Sequence, residues 1–350
     1  MAKKIFTLSI GEELEDISVE QLLKREFHLS KREISRAKFQ ENGICLNGEK
    51  VRVNQKVKKG DCLTVSFEEE KTSNILLPSE GSLCVLYEDE DLLIVNKPPM
   101  IPTQPTGRHA ARSLCNLVYA YALEREMTPL IRPVGRLDME TSGVVVFAKN
   151  QIAASRLSAQ RENGTFEKIY YAFVAGKMEN RRGSICEPIG AVGCGEGRER
   201  IKMQVCAEGK PAVTLYEAVR NYENMALVRL RLKTGRTHQI RVHMDWLGHT
   251  LLGDQLYEEK EHVSPLFSRA ALHAGEVKLQ HPFTGESICV SAPFPEDFCK
   301  ADRELLNAEK YMVSVQRRRK RDRLARHENK IIWRTMRYGE KTEKSGFYHT

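Results

Sequence analysis

The chain has 350 residues, of which 41% are apolar, and a formal net charge of +8. This length allows two domains with a sizeable core, and no apolar run approaches the roughly 20 residues that a membrane-spanning helix needs. Nine cysteines without a C-x-x-C pair favour reduced thiols over a disulfide framework or a zinc site, and the first residues do not have the pattern of a signal peptide. We therefore expect a cytoplasmic protein without a membrane segment.

The positive charge is concentrated at the C-terminal end. Residues 311–350 contain 12 Lys/Arg and 4 Asp/Glu, so this tail carries the whole net charge and the preceding 310 residues are balanced. A tail of this kind is typical of contact with a polyanion, most often nucleic acid, although a solvated tail that only aids solubility has the same composition. The residues that would bind RNA are those of its densest run, Arg317, Arg318, Arg319, Lys320 and Arg321.

A strand and then two helices are predicted in the first 40 residues. Ser18 precedes the first helical stretch and has Gln21 three residues on, while Ser30 precedes the second and has Glu33 three residues on. This spacing is the capping-box pattern, in which each side chain satisfies a backbone N–H of the other residue.

The second predicted helix carries a cluster of cations and is followed by a small β unit with the hairpin signal Asn47-Gly48. Over residues 10–68 this arrangement resembles the alpha-L RNA-binding domain, the type found in ribosomal small-subunit protein four. The resemblance implies that the cations meet RNA phosphates and orient RNA without reading its sequence; the alternative is an ordinary solvated helix face. These cations are Lys31, Arg32, Arg36 and Lys38.

Residues 71–82 favour a linker, after which a strand, an acidic turn and a second strand are expected up to Asn96-Lys97-Pro98, with a helix over 113–126. The next feature is the run Val144–Ala148, whose β-branched and apolar residues indicate a buried strand. Asp138 lies in the turn that leads into this strand. From the residues alone, such an Asp is either a capping residue or a reactive carboxylate presented by a rigid scaffold.

The remainder is predicted to contain helices, strands and a loop-rich stretch. A helix is predicted at 153–162, strands at 166–176, 213–218 and 225–232, and the loop-rich stretch at 180–212. We expect Thr237 to cap a further helix. His238 and His243 are five residues apart, which does not fit zinc binding on one helical face, so both are interpreted as structural histidines.

Three of these segments resemble motifs of the RluA-type pseudouridine synthases. Residues 136–143 match R-L-D-x-x-T-S-G, Lys168-x-Tyr170 matches the second motif, and 234–243 match T-G-R-T-H-Q-I-R-x-H. The resemblance covers residues 83–295. One departure is Gly135, where many members have His.

The resemblance implies that Asp138 is the catalytic carboxylate, either attacking the ribose or removing a ribose proton, and that Arg241 pairs with it. Arg136, Tyr170 and Ile240 would complete the site. No nucleotide-cofactor motif is present, so neither a cofactor nor a metal is expected.

We therefore predict an α+β protein that isomerises uridines in RNA. Its parts would be an RNA-binding domain over 1–70, a linker over 71–82, a mixed and largely antiparallel β-sheet catalytic domain flanked by helices over 83–300, and a basic extension over 301–350. Ribosomal RNA is favoured over transfer RNA as the substrate, and no obligate protein partner is evident. The alternatives are a non-catalytic RNA-binding or ribosome-assembly factor on the same fold, and an aspartate-dependent glycosidase, for which Glu140 would be a poorly placed second carboxylate.

Overall fold

The computed structural model describes residues 3–27, 29–68, 76–106, 110–127, 132–192, 202–258 and 265–303. The chain divides into two compact units, of which the first ends at Pro295 and the second starts at Glu296. The second unit is described only over 296–303, which are helical, so the predicted RNA-binding tail lies outside the described residues. Within the described ranges, no helix combines the length and apolar character required to cross a bilayer.

The N-terminal part of the first unit, which we call the N-terminal module, contains β1 (Lys3–Ser9), α1 (Val19–Arg25), α2 (Lys31–Phe39), β2 (Ile44–Leu46), β3 (Glu49–Lys50) and β4 (Cys62–Glu68). The strands form an antiparallel sheet in the order β1-β4-β2-β3. Both predicted capping boxes are confirmed, because Ser18 with Gln21 and Ser30 with Glu33 make the reciprocal hydrogen bonds at the starts of α1 and α2.

The rest of the first unit contains, in chain order, β5 (Cys84–Glu88), β6 (Leu92–Lys97), α3 (Leu114–Glu124), β7 (Arg132–Pro133), β8 (Ser142–Ala148), α4 (Gln151–Asn163), β9 (Glu167–Ala175), β10 (Arg182–Ile185), β11 (Ile189–Ala191), β12 (Met203–Val205), β13 (Thr214–Asn221), β14 (Met225–Leu232), α5 (Gln239–Trp246), β15 (Leu272–Gln280) and β16 (Ser287–Ser291).

Most of these strands form a ten-stranded sheet in the order β10-β13-β14-β9-β15-β8-β6-β5, with β16 on β15 and β7 on β8. Only the β15–β8 pairing is parallel among the described strands, which confirms the mixed, largely antiparallel sheet of the α+β prediction.

Strand β8 is buried along its whole length because both faces of the sheet are covered. Val145 and Phe147 pack into the core that includes residues of α3 and α5, whereas Val144 and Val146 pack into the core that includes residues of α4. Gly143 pairs with Ala274 of β15, and a Cβ at Gly143 would lie 2.2 Å from the Ala274 carbonyl oxygen. The motif glycine is therefore required for this close approach of two strands.

Helix α4 joins the sheet to the N-terminal module. Ile152 belongs to the hydrophobic core of the module. Buried Arg156 donates to the carbonyl oxygen of Phe27 from Nε (3.0 Å) and Nη2 (2.9 Å), and to that of Pro282 from Nη1 (2.6 Å). Its guanidinium also lies over the Phe283 ring, 4.7 Å from the centroid.

One local prediction is wrong. Helix α5 begins at Gln239 after His238, which has φ 54° and makes no side-chain cap, so Thr237 is not the capping residue. The stretch 180–212, predicted to be loop-rich, also contains the short strands β10, β11 and β12, and Ile189 of β11 forms a bridge to Lys210 besides pairing with β12. Strands this short carry too few residues for a periodic signal.

Candidate active site

A cavity of about 650 Å³ opens beside the C-terminal end of α4 and the loop that precedes β8. Its lining comes from the β7–β8 loop, α4, the first half of β9, and the segment from the end of β14 into α5. All five residues predicted for the site line this one cavity: Arg136, Asp138, Tyr170, Ile240 and Arg241.

The loop that carries Asp138 is fixed by groups from three other segments. The Thr103 hydroxyl donates to the Leu137 carbonyl (2.9 Å) and accepts from the Leu137 N–H (3.0 Å). Lys97 donates to the Met139 carbonyl (3.1 Å), and Arg269 donates to the Glu140 carbonyl (2.9 Å). The residues on both sides of Asp138 are thus held by buried side chains, which is the support that a preorganised reactive group needs.

Arg241 does not clamp Asp138, so the predicted direct pair is wrong. Its Nε and Nη2 donate to the two carboxylate oxygens of Asp254, both at 2.6 Å, and both side chains are buried. Among the described residues, no hydrogen bond or ion pair joins Arg241 to Asp138. Asp254 fixes the guanidinium in the cavity wall, and a planar fork suits this bidentate geometry.

Tyr170 is a neutral phenol in this site. Burial raises the pKa of its hydroxyl, and the negative charge of Asp138 raises it further, whereas the charge of Arg161 opposes the rise. Tyr170 therefore offers the cavity a flat aromatic face and a hydroxyl that retains its proton. Buried Ile240 adds an apolar surface to the same cavity.

Lys97 is fully buried and donates to three carbonyl oxygens, those of Pro98 (2.9 Å), Ile101 (2.8 Å) and Met139 (3.1 Å). Burial and, after it, the charge of Arg269 lower the pKa of Lys97 to about 7, although the charge of Asp138 opposes both. Three acceptors match the three N–H bonds of an ammonium group, so the geometry favours the charged form against burial.

Among the lining residues that sequence reasoning did not place in the cavity are Arg161, Lys168 and His238. Arg161 shares a helical face with Ser158 and Glu162, which also line the cavity, and their i, i+3, i+4 spacing is a signal that was available in the sequence. His238 was interpreted as structural; its Nδ1 is 3.1 Å from the Tyr257 hydroxyl, but its left-handed backbone places it in the wall of the cavity. The interpretation of His243 is confirmed, because its two nitrogens bond to Thr214 and to the Glu187 carbonyl.

The RNA-binding residues predicted in α2 lie away from the cavity. Lys31, Arg32 and Lys38 are exposed on α2. Arg36 instead donates to the side chain of Gln151 on α4 (2.7 Å), so it faces the joint between the N-terminal module and the sheet.

The second carboxylate of the glycosidase alternative is not in the cavity lining. Glu140 is buried and accepts from the Ala270 N–H at 3.0 Å. The other carboxylate that lines the cavity, Glu162, is exposed at the end of α4.

A group with metal-ligand spacing, formed by Asp89, Asp91 and His281, lies outside the cavity. Its atoms already bond within the protein, because Asp89 accepts from two backbone N–H groups and His281 Nδ1 accepts from two others. We therefore interpret these three residues as hydrogen-bond partners that stabilise the turns around them.

Comparison with known proteins gives matches in both parts of the first unit. The model for the RNA pseudouridylate synthase family matches residues 91–246, and that for the RluD ribosomal pseudouridine synthase N-terminal domain matches residues 6–63. These matches overlap the two segments, 10–68 and 83–295, in which the sequence showed a resemblance, so both resemblances are confirmed.

Curated relatives and solved structures agree with the family models. The chain is 37% identical over 275 residues to the uncharacterized RNA pseudouridine synthase YjbO of Bacillus subtilis, covering 79% of this chain and 95% of that protein. It is 38% identical over 238 residues to ribosomal large subunit pseudouridine synthase D of Haemophilus influenzae, covering 65% and 70%. The structure of human RNA pseudouridylate synthase domain containing 1 superposes with a TM-score of 0.51 at 28% identity, covering 61% of this chain and 84% of the human one.

Proposed function

The chain belongs to the RNA pseudouridine synthase family, and on that premise we propose that it isomerises specific uridines in the RNA of the large ribosomal subunit, with Asp138 as the catalytic carboxylate. The observation that carries the site assignment is the meeting of Asp138, Tyr170 and Arg241 in one cavity. The choice of RNA is supported by relatives named for the large ribosomal subunit and by the match of the N-terminal module. A ribosomal substrate in turn implies a cytoplasmic location.

Pseudouridine formation breaks the bond between N1 of uracil and C1′ of ribose, turns the base and joins C5 to C1′. The proton lost from C5 balances the proton gained at N1, so the reaction needs no redox partner. In our proposal Asp138 either attacks the ribose or removes a ribose proton, and both roles require a carboxylate held close to the sugar.

The other residues have positioning roles in this proposal. Tyr170 and Ile240 hold the uracil, Arg241 supplies fixed positive charge, and Arg136 acts at the exposed edge of the cavity. The target uridine must leave its stack to enter, at a cost of a few kcal/mol, which contacts elsewhere in the RNA have to offset.

We assign those contacts to the N-terminal module and the C-terminal tail. Lys31, Arg32 and Lys38 are exposed on α2, and the run 317–321 adds five cations. These charges position RNA through its phosphates and do not select the uridine. The division into an RNA-binding domain over 1–70, a linker, a catalytic domain over 83–300 and a basic extension over 301–350 is part of the same proposal.

The test is a map of pseudouridines in total RNA from cells with and without the gene. We expect discrete pseudouridines to disappear from large-subunit ribosomal RNA and to return when the parent gene is restored. Loss from transfer RNA alone would overturn the choice of substrate and leave the activity intact.

A further inference from the structure

The edge of the cavity is cationic, whereas its interior carries the Asp138 carboxylate. Four basic side chains that line it are exposed, and Glu162 is the exposed acidic residue in the lining. Lys233 has an acidic neighbour, because its Nζ lies 3.8 Å from Glu167. The exposed cations are Arg136, Arg161, Lys233 and Arg236.

Arg161 occupies a particular place among these cations because it lies between two of the loops that carry the family motifs. A Cβ placed on Gly135 would be 3.4 Å from both Cζ and Nη1 of Arg161, and a Cβ on Gly235 would be 3.6 Å from its Nη2. Gly135 precedes the loop of Asp138, and Gly235 precedes α5. The guanidinium of Arg161 thus packs against the backbone of both loops.

Within the described part of the chain, the side chain of Arg161 has neither a hydrogen bond nor an ion pair. It instead lies near another cation, because burial and, after it, the charge of Arg161 together lower the pKa of Lys168 to about 7. A guanidinium held next to a lysine without an acidic partner is suited to an external anion.

Gly135, where the common motif has His, lies directly beside the Arg161 guanidinium. Its φ is +82°, and a Cβ there would be in ordinary van der Waals contact with the guanidinium at 3.4 Å, so a side chain that extends beyond Cβ toward Arg161 would compete with it for space. The departure of this chain from the common motif therefore lies next to a cation on α4.

We propose that Arg161, which lies beside Gly135, binds a backbone phosphate of the RNA strand next to the target uridine. The uracil is neutral, so the phosphates are the anions that an RNA strand brings to this edge. The planar fork of Arg161 matches phosphate oxygens, and its exposed position lets the phosphate remain at the edge while the base enters. This inference rests on RNA as the substrate and not on which RNA it is.

Binding of a short labelled oligouridylate across a salt series tests the inference with Arg161→Met, Arg161→Lys and the control Arg125→Met. Arg125 is also exposed, but it stacks on Tyr121 and does not line the cavity. We expect Arg161→Met to weaken binding about tenfold at low salt and to flatten log affinity against log salt by about 0.7, the value for one phosphate on a single strand. Arg161→Lys keeps the slope and loses part of the affinity, and Arg125→Met matches the parent.

A double-mutant cycle tests the role of Gly135. Gly135→His should weaken binding about tenfold in the parent, because the imidazole would displace the Arg161 guanidinium. In the Arg161→Met protein the guanidinium is already absent, so Gly135→His should weaken binding less than twofold. Gly135→Ala introduces the same backbone strain without an imidazole and should fall well short of the His effect. The inference is overturned if Arg161→Met leaves affinity and slope unchanged, or if Gly135→His has equal effects in both backgrounds.

Turnover on an unmodified large-subunit RNA transcript separates this inference from the proposed substrate. We expect Arg161→Met to raise KM while kcat stays within about twofold of the parent, because phosphates position and do not react. Equal KM values for the two proteins would count against the phosphate contact. If the parent does not convert this transcript at all, the substrate proposal fails, whereas the oligouridylate data still decide the role of Arg161.

Discussion

At the scale of single residues, the site depends on how firmly the Asp138 loop is held. Leu137, Met139 and Glu140 are bonded through their backbone to Thr103, Lys97 and Arg269, respectively. If Asp138 is the reactive carboxylate, these bonds hold it in a fixed position before the substrate binds. The supporting side chains should therefore affect turnover although they do not line the cavity.

Thr103→Val isolates this support because it replaces the hydroxyl with a methyl group of similar size. It leaves the Leu137 N–H and carbonyl without their partner, which costs about 1–3 kcal/mol of stability. We expect turnover to fall about tenfold or more with little change in RNA affinity. Thr103→Ser is the control, since it keeps the hydroxyl and its turnover should stay close to that of the parent. Equal turnover of Thr103→Val and Thr103→Ser would show that the Thr103 hydroxyl does not position the Asp138 loop.

The lowered pKa of Lys97 leads us to expect that the free energy of unfolding depends on pH. The Lys97 pKa is lowered to about 7 in the folded protein, so between pH 7 and 10 the unfolded chain binds more protons than the folded one. Stability contributed by this group therefore rises with pH, by up to about 1.4 kcal/mol per unit. The free energy of unfolding of the parent relative to Lys97→Met should increase over this range, and parallel pH profiles would mean that the three carbonyls keep the pKa near its ordinary value.

At the scale of elements, α4 has two tasks. Ile152 and Arg156 contact the N-terminal module, whereas Ser158, Arg161 and Glu162 line the cavity. The helix thus ties the position of the module to the site. If the module binds RNA as we propose, its displacement relative to α4 would move the RNA away from the cavity.

Arg156→Lys tests this joint. A lysine cannot bond to Phe27 with two nitrogens and also reach Pro282, so a buried carbonyl loses its donor, at about 1–3 kcal/mol. We expect a lower midpoint of thermal unfolding and weaker RNA binding, with Arg125→Lys as an exposed control. An unchanged midpoint would show that the joint does not depend on the guanidinium.

The elements also show what the sequence can predict. The capping boxes at Ser18 and Ser30 were predictable because each depends on residues three apart. The start of α5 was not, because the left-handed conformation of His238 is set by packing and its contact with Tyr257, nineteen positions on. The motif residues of the cavity were identified, but the Arg241–Asp254 pair depends on a contact across 13 residues that no local pattern specifies.

At the scale of the whole molecule, the net positive charge lies in the C-terminal tail, to which we assigned RNA contacts. The tail at 311–350 holds a net charge of +8 and the rest of the chain is balanced. Removing 311–350 should flatten the dependence of log affinity on log salt by several units, at about 0.7 per phosphate on a single strand, without changing which uridine is modified. Parallel slopes for the full and shortened proteins would assign the tail no role in binding this RNA.

Conversion of an unmodified large-subunit RNA transcript by the parent and by Asp138→Asn tests the central claim most directly. The substitution keeps the size of the side chain and removes the carboxylate that the reaction requires. We predict pseudouridine at discrete positions with the parent, none with Asp138→Asn, and equal RNA affinity for the two proteins. Conversion by Asp138→Asn at a rate near that of the parent would contradict the assignment of this carboxylate.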